Sequence, residues 1–283
     1  TENTGRTLNV ALVQGAIPQE IKWHPNQLKE SYNIYTQLSD PFWSSDLIIW
    51  PETAIASKYN MTKNFISKIS KKTQFSNALF MSGIVNDDAN SDKYFNSIML
   101  IDNKHHFYNK HRLVPFGEYL PFRKILSRPL HLLNIPISNF SSGKKTEKNF
   151  ETNKGNFGMS ICYESAYGNE IRRSMPDANI LINVSNDAWF GDSIAPHQHL
   201  QIARMRAMEN GRYFLRATNN GISAIINNKG KIISRSPQFE KNVLNSDVEL
   251  FSGETPFSKY GNIPLLIFFT FVFFINIIRR KVF

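Results

Sequence analysis

Apolar positions alternate with polar ones, or gather in short runs, over residues 7–13, 46–50, 78–85 and 95–101. That pattern predicts strands. After an Asp102-Asn103-Lys104 turn, residues 105–109 return as another strand. Between these runs the period lengthens. Leu28, Tyr32, Tyr35 and Leu38 recur at helical spacing over 26–39, and Phe65, Ile66 and Ile69 share a face over 64–73. The second half repeats this grammar. Strands are predicted at 157–161, 179–184, 214–218, 223–227 and 231–235, the last two joined by an Asn228-Lys229-Gly230 hairpin turn. Helices are predicted at 169–174 and 195–210, the latter with Leu200, Ala203, Met205, Ala207 and Met208 available for packing. Alternating strands and helices with a few hairpins define a layered α/β domain. No internal repeat occurs at a solenoid period.

Two stretches break the pattern. Residues 115–150 hold Pro115, Pro121, Pro129 and Pro136 among Leu120, Phe122, Ile125, Leu126, Leu130, Leu132, Leu133, Ile135 and Ile137. Loops normally avoid such apolarity. Residues 263–278 are almost wholly apolar, with five phenylalanines and Asn276 as the one strongly polar residue. As a helix this run covers about 24 Å at ~1.5 Å per residue, short of a hydrocarbon core of ~30 Å unless its edges extend it. Tyr260 suits one interface, and Arg279, Arg280 and Lys281 suit the other. The expected division is a domain over 1–250, a linker over 251–262, a transmembrane helix over 263–278 and a tail over 279–283. The positive-inside rule puts that tail in the cytoplasm and the domain across the membrane. The chain starts Thr1-Glu2-Asn3 without an apolar signal segment. The export of its domain is therefore expected to depend on membrane spans upstream, in a longer protein.

Composition narrows the class. The chain has 283 residues, 41% hydrophobic and 20% charged, enough for one large domain or two small ones and unlike a disordered or low-complexity chain. One cysteine excludes an internal disulfide and a zinc site built on several thiolates. The net charge of +10 suits an acidic partner, either nucleic acid or an anionic membrane. Its basic residues are scattered, with short clusters at Lys71-Lys72, Lys144-Lys145 and 279–281, and carry no nucleic-acid-binding motif. His197 and His199 lie two apart, a spacing that fits neither a helix face nor a zincin motif, so no metal is expected.

Three reactive groups each follow an apolar strand. Glu52 comes after Leu47-Ile48-Ile49-Trp50-Pro51, where partial desolvation raises a carboxyl pKa and makes a usable base. Lys110 follows the strand 105–109, where its ammonium can hold an oxyanion and favour a thiolate. Cys162 ends the strand 157–161, and the Tyr163 N–H after it can point at a developing oxyanion. Taken singly, each has a bland reading: loop glutamate, surface lysine, buried small thiol. Ligand sites of α/β sheets gather at such strand ends.

Glu, Lys and Cys in this order resemble the nitrilase, or carbon–nitrogen hydrolase, superfamily, and within it the apolipoprotein N-acyltransferase branch. The resemblance rests on many segments in register. Val13-Gln14-Gly15 is followed by Ile17-Pro18-Gln19 and Lys22-Trp23, then by Trp50-Pro51-Glu52-Thr53-Ala54-Ile55. Tyr108-Asn109-Lys110 precedes Leu113-Val114-Pro115-Phe116-Gly117-Glu118, and Ile161-Cys162-Tyr163-Glu164 follows. The set closes with residues 185–191 (SNDAWFG), 203–207 (ARMRA) and 218–222 (TNNGI). The resemblance implies an αββα sandwich, a bundle of membrane helices ahead of the domain, and a Glu52-Lys110-Cys162 triad. It implies supporting roles for Glu118, Tyr163 and Glu164, a substrate-side role for Trp23, and no cofactor. The implied reaction moves an acyl chain from a membrane phospholipid, phosphatidylethanolamine above all, onto the N-terminal amine of an S-diacylglyceryl-cysteine apolipoprotein. It would run through a thioester on Cys162 at the bacterial inner membrane, with the domain on the periplasmic side. On this reading residues 115–150 form an apolar lid. The competing readings are an amidase of soluble substrates with the same triad, and a tethered binding module with a dead site.

Overall fold

The computed structural model describes residues 1–87, 92–119, 139–145 and 149–282, apart from the side chains of Pro25 and 279–282. All nine apolar residues singled out in the proline-rich stretch fall in 120–138, outside the described residues.

Two sheets pack face to face between two layers of helices. The first sheet contains β1 (Glu2–Gln14), β2 (Leu47–Ile49), β3 (Ile55–Lys58), β4 (Leu79–Asp87), β5 (Tyr94–Ile101), β6 (His105–Asn109) and, far along the chain, β13 (Asn242–Ser252). Its order is β13-β1-β2-β4-β5-β6, with β3 also paired to β4. The second contains β7 (Phe150–Thr152), β8 (Gly155–Ile161), β9 (Ile180–Ser185), β10 (Tyr213–Thr218), β11 (Ala224–Ile226) and β12 (Ile232–Arg235), in the order β12-β11-β10-β9-β8-β7. The central pairs β1–β2, β2–β4, β8–β9 and β9–β10 are parallel, and hairpins flank them.

Period-two alternation builds the layers. Val10, Leu12, Leu47, Ile49, Leu79 and Met81 point into the space between the sheets, where they meet Ile180, Ile182, Val184 and Leu215. The alternate residues Ala11, Val13, Ile48 and Phe80 face outward with Trp50 and pack on helices α1 (Pro25–Ser39) and α2 (Lys63–Ser76) through Tyr35, Ile66 and Ile69. Leu181 and Phe214 do the same on the far side, against Leu200, Ala203 and Ala207 of helix α3 (Ala195–Asn210). These strands are buried on both faces, which is why they read as apolar runs. The expected αββα sandwich is the observed one.

Three strands have no counterpart in the sequence reading: β3, β7 and β13. The last is the instructive one. It runs antiparallel to nearly the whole of β1, Leu8 opposite Val248 and Val13 opposite Val243. Its Asn, Ser and Asp residues mask its alternation, since those types are depleted in strands. The pairing comes from the long-range partner rather than from local preference. The predicted helix at 169–174 is a helical turn, Gly168–Ile171, followed by a 3-10 turn, Arg172–Ser174.

The chain ends in helix α4 (Ile263–Val282), which carries Arg279, Arg280 and Lys281 within its last turns rather than in a separate tail. Among the described residues no helix is long and apolar enough to cross a membrane. The expected transmembrane helix over 263–278 is thus corrected: the apolar part of α4, ~24 Å long against a ~30 Å core, is too short for a full span by itself. Its apolar side chains are exposed nevertheless: Leu266 at 64%, Phe271 at 63% and Phe274 at 56%.

Candidate active site

The turn after β2 places Glu52. Pro51 and a left-handed Thr53, at φ 46°, fold the chain back on itself there. Gly83 of β4 makes room: a Cβ at that position would lie 2.2 Å from the Thr53 nitrogen and 2.6 Å from the Glu52 Cα. The Glu52 side chain is buried and accepts from Asn96 Nδ2 at 2.7 Å. The same Asn96 nitrogen donates to Glu118 Oε1 at 2.7 Å. Lys110 lies between the two carboxylates, 3.5 Å from Glu52 and 2.9 Å from Glu118. It is 1% exposed. Burial by itself would lower its pKa, but the negative charge of Glu52, and then of Glu118, outweighs that and holds the ammonium above its ordinary range.

Cys162 follows β8 in a left-handed conformation, φ 50°, and opens a single 3-10 turn, Cys162–Ala166. A non-glycine residue keeps this conformation only where its surroundings enforce it. Burial, and then the Glu52 charge, push the thiol up to about 12, against a smaller opposing effect of Lys110. The resting group is therefore a protonated thiol. Glu52 and Lys110 are both close enough for their charges to act on it.

Glu164 joins the strand ends. Its Oε1 accepts from the His111 and Arg112 N–H groups at 2.8 and 3.0 Å, just after Lys110. Its Oε2 accepts from the Ile161 N–H at 2.8 Å and the Tyr108 hydroxyl at 3.0 Å. One buried carboxylate thus ties the end of β6 to the cysteine turn, which is a positioning role. Glu118 does similar work, accepting from the Val114 N–H at 2.8 Å while it holds Lys110. Tyr163 and Trp23 are both 45% exposed, Tyr163 edge-on against Tyr167 at 5.4 Å.

Of the seven residues expected at the site, Glu52, Lys110, Cys162, Glu118 and Glu164 are brought together by hydrogen bonds, ion pairs or charge, whereas Tyr163 and Trp23 are placed only as the neighbours of Cys162 and Lys22 in the chain. Sequence reasoning missed several others. Asn96, an inward-facing amide inside an apolar strand, bridges both glutamates. Lys22 is 1% exposed and donates to the Glu52 carbonyl at 2.9 Å; burial lowers it to about 8, with the Glu52 charge opposing. Asp187, His199 and Arg216 form a buried cluster behind the cysteine turn. The signal for these was the occurrence of polar residues inside apolar surroundings. No group of acidic, histidine or cysteine side chains suited to a metal ion occurs among the described residues.

Glu52, Lys110 and Cys162 thus converge at the strand ends of an αββα sandwich, a buried base, a cation and a thiol in one site. The carbon-nitrogen hydrolase family profile matches residues 9–253, and the chain belongs to that family. Solved structures agree on the fold. A carbon-nitrogen hydrolase from Helicobacter pylori superposes with a TM-score of 0.63 at 14% identity, covering 86% of this chain and 89% of that one. A nitrilase-superfamily member from Saccharomyces cerevisiae gives 0.64 at 18% identity, covering 88% and 92%. Within the family the chain is similar to apolipoprotein N-acyltransferases. That of Haemophilus influenzae is 40% identical over 98% of this chain, and that of Methylococcus capsulatus 37% identical over 94%. The chain spans about half the length of these relatives, 56% and 53%.

Proposed function

We propose that this chain carries the acyl-transfer centre of an apolipoprotein N-acyltransferase. Glu52 takes the Cys162 proton as sulfur attacks an ester carbonyl of a membrane phospholipid, phosphatidylethanolamine being the expected donor. A thiol pushed up to about 12 holds few thiolates at neutral pH, so its deprotonation must accompany attack, which favours an adjacent base. Lys110 Nζ and the Tyr163 N–H hold the oxyanion. The carbon–oxygen bond breaks, the lysophospholipid oxygen leaves with the proton from Glu52, and the acyl chain remains as a thioester on Cys162. The α-amine of an S-diacylglyceryl cysteine then attacks. Glu52 takes the amine proton, the carbon–sulfur bond breaks as the amide forms, and Glu52 returns that proton to the Cys162 sulfur. One covalent intermediate and two substrates give ping-pong kinetics, with parallel double-reciprocal plots.

The observation that carries the lipid reading is the rim. Four segments that supply residues of the site also expose large apolar side chains. Trp23 follows Lys22, Phe116 and Tyr119 flank Glu118, Tyr163 follows Cys162, and Trp189 and Phe190 follow Asp187, with exposures between 37 and 69%. A soluble amide gains nothing from such a rim, whereas an acyl chain or a bilayer surface covers it. Helix α4, exposed and apolar, supports the same placement at the bacterial inner membrane, where the domain is expected on the periplasmic side. The test is intact mass spectrometry after incubation with phosphatidylethanolamine, beside Cys162→Ser. A hydroxylamine-sensitive acyl adduct, absent from the variant and discharged by a diacylglyceryl peptide, is expected. Folded protein without an adduct, both as this chain and within a full-length relative's membrane context, would overturn the reading.

A further inference from the structure

The peptide unit joining Cys162 to Tyr163 is held from one side. A trans peptide is planar, with its C=O and N–H pointing in opposite directions. Here the carbonyl end accepts from three donors: Ser165 Oγ at 3.1 Å, Asn183 Nδ2 at 3.2 Å and His199 Nε2 at 3.2 Å. Ser165 and Asn183 are fully buried and His199 is 6% exposed. Three donors on one carbonyl exceed its two lone pairs, and more than a short turn requires.

His199 is itself fixed from behind. Its Nδ1 lies 3.0 Å from Arg216 Nη2 and 3.2 Å from Asp187 Oδ1. The same guanidinium nitrogen donates to Asp187 Oδ2 at 2.6 Å, and Arg216 Nη1 donates to Asn183 Oδ1 at 2.8 Å. Arg216 Nη2 can only donate and Asp187 Oδ1 can only accept, so Nδ1 serves the nearer of the two, the guanidinium, as an acceptor. Nε2 then carries the hydrogen, directed between the Cys162 carbonyl at 3.2 Å and Ser165 Oγ at 3.1 Å, the hydroxyl that itself donates to that carbonyl. Burial first, and then the Arg216 charge, lower the pKa of this imidazole, which keeps it neutral in that tautomer. Burial would raise Asp187, but the Arg216 charge outweighs it and holds the carboxyl below its usual range. Ser185 Oγ, at 2.9 Å, also donates to this carboxylate.

We infer that His199, backed by Asp187 and Arg216, is a positioning residue for the oxyanion site: it holds the Cys162 carbonyl on the buried side and so aims the Tyr163 N–H at the oxygen of the tetrahedral intermediate. This deepens the acyl-transfer reading and rests on it, because that reading makes the Tyr163 N–H an oxyanion donor. Hydrogen bonds accepted by a peptide carbonyl also polarise its N–H and strengthen it as a donor. The left-handed Cys162 is the backbone conformation these contacts retain.

Two reactions of one thiol separate this role from a merely structural one. Acylation of Cys162 by p-nitrophenyl butyrate passes through an oxyanion, and alkylation by iodoacetamide does not. In the full chain, His199→Leu is expected to slow acylation by about 30-fold or more while alkylation stays within about threefold. His199→Gln keeps an N–H near the Nε2 position and is expected to recover most of the loss. Ser165→Ala, which removes a second donor with little change in packing, is expected to show the same split at smaller size even if the leucine variant fails to fold. Equal losses in both reactions, or undiminished acylation, would overturn the inference. A wild-type thiol that is alkylated but never acylated by the ester would overturn the acyl-transfer reading as well. Acylation by the ester but not by phospholipid would remove only the lipid donor and leave this result standing.

Discussion

The wall that carries the candidate site and the terminal helix invert the usual distribution of side chains in opposite ways. At the wall, charges are inside: Lys22, Lys110 and Arg216 are exposed by 1% or less. On helix α4, hydrophobes are outside, with Phe268 at 57% and Phe273 at 62%. Each arrangement is expensive without a partner. The buried charges find theirs within the chain: Lys110 has Glu52 and Glu118, Arg216 has Asp187, and Lys22 has the Glu52 carbonyl. The phenylalanines of α4 find none among the described residues beyond one another. The difference teaches where to look for function. A buried charge with internal partners is prepared for chemistry, and an exposed apolar helix is prepared for a surrounding.

Four experiments sharpen or break that contrast. The largest effect belongs to Cys162→Ser, which is expected to lower acyl transfer by about 10⁴-fold or more without loss of fold. Retained turnover in a phospholipid-to-peptide assay would place the nucleophile elsewhere. Next comes Lys110→Met, which leaves Glu52 and Glu118 buried without their shared cation. A stability loss of about 3–5 kcal/mol in urea titration is expected, because removing one partner of a buried ion group strands the other charges. An unchanged midpoint would mean that the wall is not held by charge pairing.

A moderate effect is expected from Phe271→Asn with Phe274→Asn. Unfolding of the domain should move by no more than about 0.5 kcal/mol, since neither ring packs on it. Co-flotation with liposomes should fall at least tenfold, given the ~1.5–3 kcal/mol that burial of each large apolar side chain contributes. A large loss of domain stability would show that the helix docks on the domain instead. The smallest effect is on pH dependence. With the thiol pushed from 9.0 to about 12, chiefly by burial, Cys162 alkylation should keep climbing from about pH 7 to about pH 10 without a plateau. The folded state binds this proton more tightly than the unfolded chain does. The thiol's contribution to stability is therefore full below pH 9 and declines as pH rises from 9.0 towards about 12. A plateau in alkylation near pH 9 would reveal a solvated, ordinary thiol.

The site was legible in part because its principal groups follow apolar strands, and strand ends converge in a layered sheet. Glu52, Lys110 and Cys162 could be named for that reason, and the surrounding segments identified the family. Asn96 and Arg216 could not. Each is a polar residue within a strand whose significance lies in what faces it from another strand, and no local spacing encodes that. Glu164 was legible as a neighbour of the cysteine, but not as the carboxylate that takes four hydrogen bonds from two separate strand ends.

The sequence by itself determined the layers and the candidate chemistry. Period-two and helical patterns record which faces are buried, and burial is imprinted residue by residue. Only the tertiary structure decided that β13 completes the first sheet beside β1, that Lys110 sits between two carboxylates, and that His199 grips the Cys162 carbonyl. These are pairings between residues far apart in the chain. Their free energy comes from desolvated contact, which exists only once both partners have been brought to the same place.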